Sequence, residues 1–139
     1  YVNAPSMAKG AGISMREITC AESDEYVNLI SLRCTDHSIS GTLAGRRRDQ
    51  RIVEVDGHSV DVPPAEHMMV ISNDDRPGVI GTVGVMLGGA GVNIADMDVG
   101  RVSADSATMV LTLTDEVPLR LVEQLRAAPG ILSVKVLRG

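Results

Sequence analysis

The sequence predicts an α+β fold: a β-rich first half, then a β-α-β-β-α-β unit built on an antiparallel sheet. Three observations carry this prediction. Most apolar residues recur with period 2, in segments rich in Val, Ile and Thr. Two segments, opening near Pro77 and Pro118, switch to the helical period. Turn-forming pairs (Asp56-Gly57, Pro63-Pro64, Pro129-Gly130) stand where the pattern changes.

The elements of the first half follow in order. Residues 3–11 suit a short helix that Gly10 and Gly12 bring to an end. Residues 13–20 and 26–34 read as strands on either side of the polar turn "ESDE" at 22–25, and 38–45 as a weaker strand. "RIVEV-DG-HSVDV" (51–62) reads as a hairpin, because Asp56-Gly57 supplies the two positive-φ positions of a tight turn. Pro63-Pro64 marks the boundary, giving domains of 1–64 and 65–139, the first incomplete at its N-terminus.

The second half opens with a strand over Met68–Asn73. Val79, Ile80, Val83, Met86, Leu87 and Ala90 then share one helical face. "NIADMDVGRVS" (93–103) is the second strand and "SATMVLTLT" (106–114) the third. In the third, Ala107, Met109, Leu111 and Leu113 point one way, and Thr108, Val110, Thr112 and Thr114 the other. Pro118 opens a helix with Leu121, Val122 and Leu125 inward, Pro129-Gly130 stops it, and "ILSVKVLR" closes the sheet. The order is that of a ferredoxin-like unit, with both helices on one face.

The first of those helices contains an anomaly. Between 78 and 91 six residues are glycine, and each glycine inside a helix costs about 1 kcal/mol relative to alanine. Gly81, Gly84 and Gly88 fall on one narrow stripe, away from the apolar face. Such a stripe permits tight packing within the domain or close approach of a second backbone, here a second subunit or a neighbouring domain. It does not match a nucleotide cradle, since neither G-x-G-x-x-G after a strand nor G-x-x-x-x-G-K-[ST] is present.

The start of the same helix has chemistry of its own. With Pro77 in the first turn, the N–H groups of Gly78, Val79 and Ile80 lack intrahelical acceptors and suit a carboxylate. Asp75 either caps the helix or receives a ligand ammonium group. Asn93, opening the next strand, offers a donor and an acceptor. Together these groups complement a zwitterionic amino acid.

The rest of the sequence mainly excludes functions. At 139 residues and 44% apolar, with no Phe or Trp, the core must be aliphatic. A formal charge of −5 argues against a nucleic-acid or anionic-membrane surface, and no apolar run reaches the ~20 residues of a membrane span. Arg46, Arg47, Arg48 and Arg51 form the basic cluster, either a solvated loop or a phosphate-sized anion site. His37, His58 and His67 are scattered and argue against a metal site; Cys20 and Cys34 read as buried packing residues in a reduced, cytosolic setting. Asp74-Asp75 has no partner at a catalytic spacing, so no catalytic residue is assigned, and Ser103 and Ser106 read as turn formers. The opening Tyr1-Val2-Asn3, without Met, reads as part of something longer.

"DDRPGVIGTVGVMLGGAGVNIADM" followed by "ATMVLTLTDEVP" resembles the ACT regulatory domain, and more narrowly the C-terminal ACT domain of the D-3-phosphoglycerate dehydrogenase family. "YVNAPSMAKGAGI", "SGTLAG" and "RIVEVDGHSVDV" are similar to the intervening domain of that family's longer members. The resemblance implies a parent enzyme that uses NAD to oxidise 3-phosphoglycerate at the start of L-serine biosynthesis, in the cytoplasm. This region would carry regulation, with no cofactor of its own. It implies L-serine bound as an inhibitor between two ACT domains of a homodimer, within a parent tetramer. Family ligand positions match Asn73 (where relatives carry His or Tyr), Asp75 and Asn93, with Arg76, Pro77, Gly78, Val79 and Ile80 forming the helix start. An anion or substrate site of the intervening domain matches Arg51, and a second basic position of that site falls on Pro63. Two alternatives stand beside this reading: the regulatory region of an iron–sulfur L-serine dehydratase, and a structural oligomerisation module.

Overall fold

The computed structural model describes residues 3–19, 26, 28–101 and 105–138. Helix α1 (Ala4–Gly10) precedes a four-stranded antiparallel sheet of β1 (Ile30–Arg33), β2 (Ser38–Ala44), β3 (Asp49–Val55) and β4 (His58–Val62), in the order β1-β2-β3-β4. Strand β5 (His67–Asp74), helix α2 (Val79–Gly89), β6 (Ile94–Arg101), β7 (Ser106–Leu113), helix α3 (Leu119–Arg126) and β8 (Ile131–Arg138) follow. Their sheet is antiparallel, in the order β6-β7-β5-β8. This is the βαββαβ arrangement expected from the periodicity.

Two cores hold these sheets. One face of the second sheet (Met69 and Ile71 on β5, Met109, Leu111 and Leu113 on β7) packs on Val79, Val83 and Leu87 of α2 and Leu121, Val122 and Leu125 of α3. The opposite face contributes Met68, Val70 and Val110, packed against Ile52, Val55, Val60 and Val62 of the first sheet. Strand β7 is therefore buried on both faces, Thr108 and Thr112 included. Each fully buried Val or Leu side chain contributes about 1.5–3 kcal/mol.

The hairpin turn forms as its sequence requires, with Asp56 at φ 51° and Gly57 at φ 79°. Gly100 in β6 has a packing reason. A Cβ there would lie 2.7 Å from the Ser59 carbonyl oxygen, so the missing side chain lets β4 rest on β6.

Several expectations need correction. Residues 13–19 form no strand: Ile13, Met15 and Ile18 are exposed, and no neighbour among the described residues pairs with the segment. Apolar alternation gives a strand only where a partner covers one face. The strand expected over 26–34 contracts to Ile30–Arg33, exposed throughout. Cys34 is exposed rather than buried, its Sγ donating to the His37 carbonyl at 3.4 Å. Ile80 and Ala90 are exposed, so the buried seam of α2 is Val79, Val83 and Leu87. Pro77 precedes α2, because Gly78 takes the N-cap in a left-handed conformation (φ 94°). The "ESDE" turn, Cys20 and Ser103 lie outside the described residues.

Candidate functional site

The candidate site begins where β5 runs out. Asn73 shares the helix-side face of β5 with Met69 and Ile71. It is 3% exposed. Its Nδ2 donates to the Asp74 carbonyl at 2.7 Å, while its Oδ1 is buried without a hydrogen-bond partner among the described residues. A buried carbonyl oxygen left unpaired costs about 1–3 kcal/mol, so this end of β5 holds an acceptor in need of a donor. Asp74 pairs with the Arg76 guanidinium, and the Asp74 N–H donates to the Gly130 carbonyl at 2.8 Å.

Asp75 does not cap α2. The N-cap is Gly78, and no side chain caps the helix. The Asp75 N–H donates to the Asp105 carbonyl at 3.0 Å. Arg76, Pro77 and Gly78 are exposed around the helix start, with Ile80, while Val79 turns into the core beneath Gly130. The Val79 N–H reaches the Arg76 carbonyl at 3.4 Å; Ile80 and Gly81 occupy first-turn positions that have no intrahelical acceptor.

Asn93 is placed elsewhere. It follows α2 on its far side, exposed, its carbonyl accepting the Thr114 N–H at 3.1 Å. The eleven residues of α2 separate its ends by about 16 Å. Strand register agrees, since Asp74 sits opposite Ser106 at one end of β7 and Ile94 opposite Leu113 at the other. One chain thus brings Asn73, Asp75 and the helix start together but holds Asn93 apart from them.

Between these two ends lies the glycine stripe. Among the described residues, a Cβ at Gly81, Gly84 or Gly88 would meet nothing within 4 Å, so no neighbour there requires the stripe. Ile80 and Val85 are exposed on the outer surface of α2, Val85 at 76%, and the helix carries no charged residue.

A family model for the ACT domain matches residues 67–130, the span that holds β5, α2, β6, β7 and α3. This part of the chain belongs to the ACT domain family. Similarity extends well beyond it. The chain is 36% identical over 140 residues to a D-3-phosphoglycerate dehydrogenase of Bacillus subtilis (strain 168), covering 98% of this chain and 27% of that protein. The same-named protein of Synechocystis sp. is 37% identical over 136 residues (94% and 24%). That of Methanocaldococcus jannaschii is 34% identical over 139 residues (98% and 26%). The chain spans about a quarter of the length of these curated relatives.

The basic cluster lies in the sheet that precedes the ACT domain. Arg46, Arg47 and Arg48 are exposed on the β2–β3 turn, where Gly45 and Arg48 both have positive φ. Arg51 is directed to β4 instead: its Nε donates to Asp61 Oδ1 at 2.6 Å and its Nη2 to the Asp61 carbonyl at 2.7 Å. The hydrogen bond to Asp61 raises the Arg51 pKa; burial opposes this, and the charges of Asp61, Asp96 and Asp49 add to it. An incoming anion has to compete with Asp61 for Arg51. Asp61 also links the sheets, its N–H donating to Asp98 Oδ2 on β6 at 2.7 Å.

The described residues include no cluster of His, Cys, Asp and Glu arranged to hold a metal, and no helix long and apolar enough to cross a membrane. Sequence reasoning missed one polar group, formed by His37, Asp56 and Lys135. A lysine set between Val134 and Val136 in the last strand was its one visible signal.

Proposed function

We propose that this chain is a non-catalytic regulatory region of an NAD-dependent D-3-phosphoglycerate dehydrogenase acting in cytoplasmic L-serine biosynthesis. Its ACT domains pair as a homodimer and bind L-serine between them as feedback effector. The observation that carries this reading is the separation of Asn73 and Asp75 from Asn93 by the length of α2. No small amino acid bridges these groups within one chain.

A two-fold axis resolves the separation. Helix α2 joins β5 to the edge strand β6, so it lies over the β6 side of the sheet. Antiparallel pairing of β6 with its copy sets the two α2 helices side by side and builds an eight-stranded sheet. The start of one helix then lies beside the end of the other, and Asn93 of one chain faces Asp75 of its partner. The open stripe at Gly81, Gly84 and Gly88 lets the helices approach. In this arrangement the first-turn N–H groups of α2 receive the serine carboxylate. Asp75 takes the ammonium group, and the unpaired Asn73 Oδ1 accepts from a ligand donor.

The parent's NAD belongs outside this region. The glycines of α2 lie within a helix rather than at the strand-to-helix turn that a dinucleotide cradle uses.

Thermal unfolding with millimolar ligand tests the reading. L-Serine should raise the melting temperature more than L-alanine or D-serine, because a site that pairs a hydroxyl rejects the analogue lacking it. Equal shifts for all three, or none, would remove serine from the proposal. In calorimetry, Asp75→Asn should weaken serine binding by about 1–3 kcal/mol, the range of a charged hydrogen bond. Circular dichroism of the variant separates lost binding from lost folding.

A further inference from the structure

The two sheets are joined on the β8 side by a polar group drawn from three elements. Lys135 stands on β8, on the face turned toward the first sheet, its register partner being Val70 of β5. Its Nζ donates to Asp56 Oδ2 at 2.9 Å and lies 3.0 Å from His37 Nδ1. The same Nδ1 is 3.3 Å from Asp56 Oδ1. Asp56 is fixed in the β3–β4 turn, with φ 51° and the Ser38 N–H donating to its Oδ1 at 2.9 Å.

One nitrogen therefore has two neighbours that make opposite demands. An ammonium group only donates, so the contact with Lys135 requires His37 Nδ1 to be unprotonated. A carboxylate only accepts, so a hydrogen bond to Asp56 requires Nδ1 to carry a proton. These states exclude each other: the neutral Nε2–H tautomer accepts from Lys135 at Nδ1, and a second ring proton, placed on Nδ1, turns that nitrogen to Asp56.

We propose that His37, Asp56 and Lys135 form a proton-operated clasp between the two sheets. With neutral His37 the clasp is closed: Lys135 donates to both Asp56 and His37 and ties β8 to the first sheet. With protonated His37, the imidazolium donates to Asp56 Oδ1, the Lys135 ammonium faces a second cation, and Lys135 withdraws toward solvent. The path outward exists, since the Lys135 side chain is 37% exposed.

Other charged and titratable groups face the clasp. A cleft of about 390 Å³ beside the clasp is lined by Arg33 from β1, Cys34 and Asp36 from the β1–β2 turn, Glu54 from β3, and Asp56 itself. Glu54 is engaged by the hydroxyls of Ser38 at 2.8 Å and Ser40 at 3.2 Å. Strand β8 contributes Lys135. The clasp stands apart from the proposed serine site, and the two are tested separately.

The test is an NMR titration of the full chain over roughly pH 8 to 5, where histidine side chains change charge. It follows the His37 imidazole, the Lys135 side chain and the amides of residues 134–136. In the wild type, the Lys135 signals should shift with the same midpoint as His37. In His37→Gln, whose amide oxygen still accepts from Lys135 and takes up no proton in this range, the shift of 134–136 should be lost. Retained backbone signals from β5 and β7 show that the variant is folded. A second variant, Lys135→Met, keeps the aliphatic stem and should move the His37 midpoint. Lys135 signals that ignore His37, or that titrate unchanged in His37→Gln, would overturn the clasp.

Discussion

Gly84→Leu separates a lone α2 from a paired one by the sign of its effect. The position is partly buried, yet a Cβ there would meet nothing within 4 Å in the chain. Leucine in a helix interior is favoured over glycine by close to 1 kcal/mol. Considered as a single chain, the variant should therefore gain about 0.5–1 kcal/mol of stability. In the proposed dimer the same side chain projects toward the partner's helix. Forcing extra methylenes into a formed contact costs about 1–3 kcal/mol per site, and a two-fold interface presents the site from both sides. An association loss of about 2–6 kcal/mol follows, which is roughly thirtyfold or more in Kd. Light scattering at matched concentrations reads the association, urea unfolding at two concentrations reads the stability, and circular dichroism confirms helix content. The expected result is weaker dimerisation and weaker serine binding in a variant whose monomer is at least as stable as wild type. A monomeric wild type, or a variant that dimerises normally, would refute the reasoning.

Three further outcomes follow from the geometry between the sheets. Gly100→Ala places a Cβ 2.7 Å from the Ser59 carbonyl oxygen, so β4 must shift, and urea unfolding should show a loss of about 1–3 kcal/mol; unchanged stability would mean that β4 does not rest there. Burial pushes the Asp56 carboxyl up, but the hydrogen bonds from Lys135 and the Ser38 N–H and the charges of Lys135 and His37 outweigh it, so the pKa sits below the ordinary carboxylate value. The stability Asp56 contributes is thus present above its unfolded-state pKa and lost as pH falls through its lower folded-state pKa. Asp56→Asn should flatten this acid limb, and an unaltered limb would place the loss in other carboxylates. Finally, Asp61→Asn weakens the competitor for Arg51, so NMR titration with phosphate should move the amides of 46–52 at lower phosphate in the variant than in the wild type; no response in either would leave Arg46, Arg47, Arg48 and Arg51 as a solvated surface with one structural ion pair.

Much of the fold was legible because local chemistry and tertiary packing agree. Val79, Val83 and Leu87, and Leu121, Val122 and Leu125, occupy helical faces that bury as their spacing demands. Asp56-Gly57 dictates its turn whatever surrounds it. The failures share a cause of another kind. Residues 13–19 have the pattern of a strand, but pairing depends on a neighbour, and periodicity says nothing about whether one is present. Cys34 was expected inside from its apolar character; its position next to the β1–β2 turn puts it outside. Gly100 and Lys135 have no local reason within their strands, and each becomes intelligible only once a second sheet is laid against the first.

The candidate site was legible residue by residue, but its assembly was not. Asp75 and Asn93 are legible from what their side chains can do and Asn73 from the family resemblance, but spacing along the chain does not tell whether they meet. Between Asn73 and Asn93 lie a turn and a helix, and that helix, about 16 Å long, holds them apart as rigidly as any strand would. The six glycines near α2 first seemed a cost of about 1 kcal/mol at each helix-interior position. Among the described residues a Cβ on the stripe would meet nothing within 4 Å, so no side-chain packing there offsets that cost. A helix that is costly alone and flanked at its two ends by the proposed halves of an amino-acid site makes physical sense as half of a pair. In the proposed dimer the site and the glycines have a single explanation, because the contact that would offset the glycine cost would also bring Asn93 of one chain to Asp75 of the other.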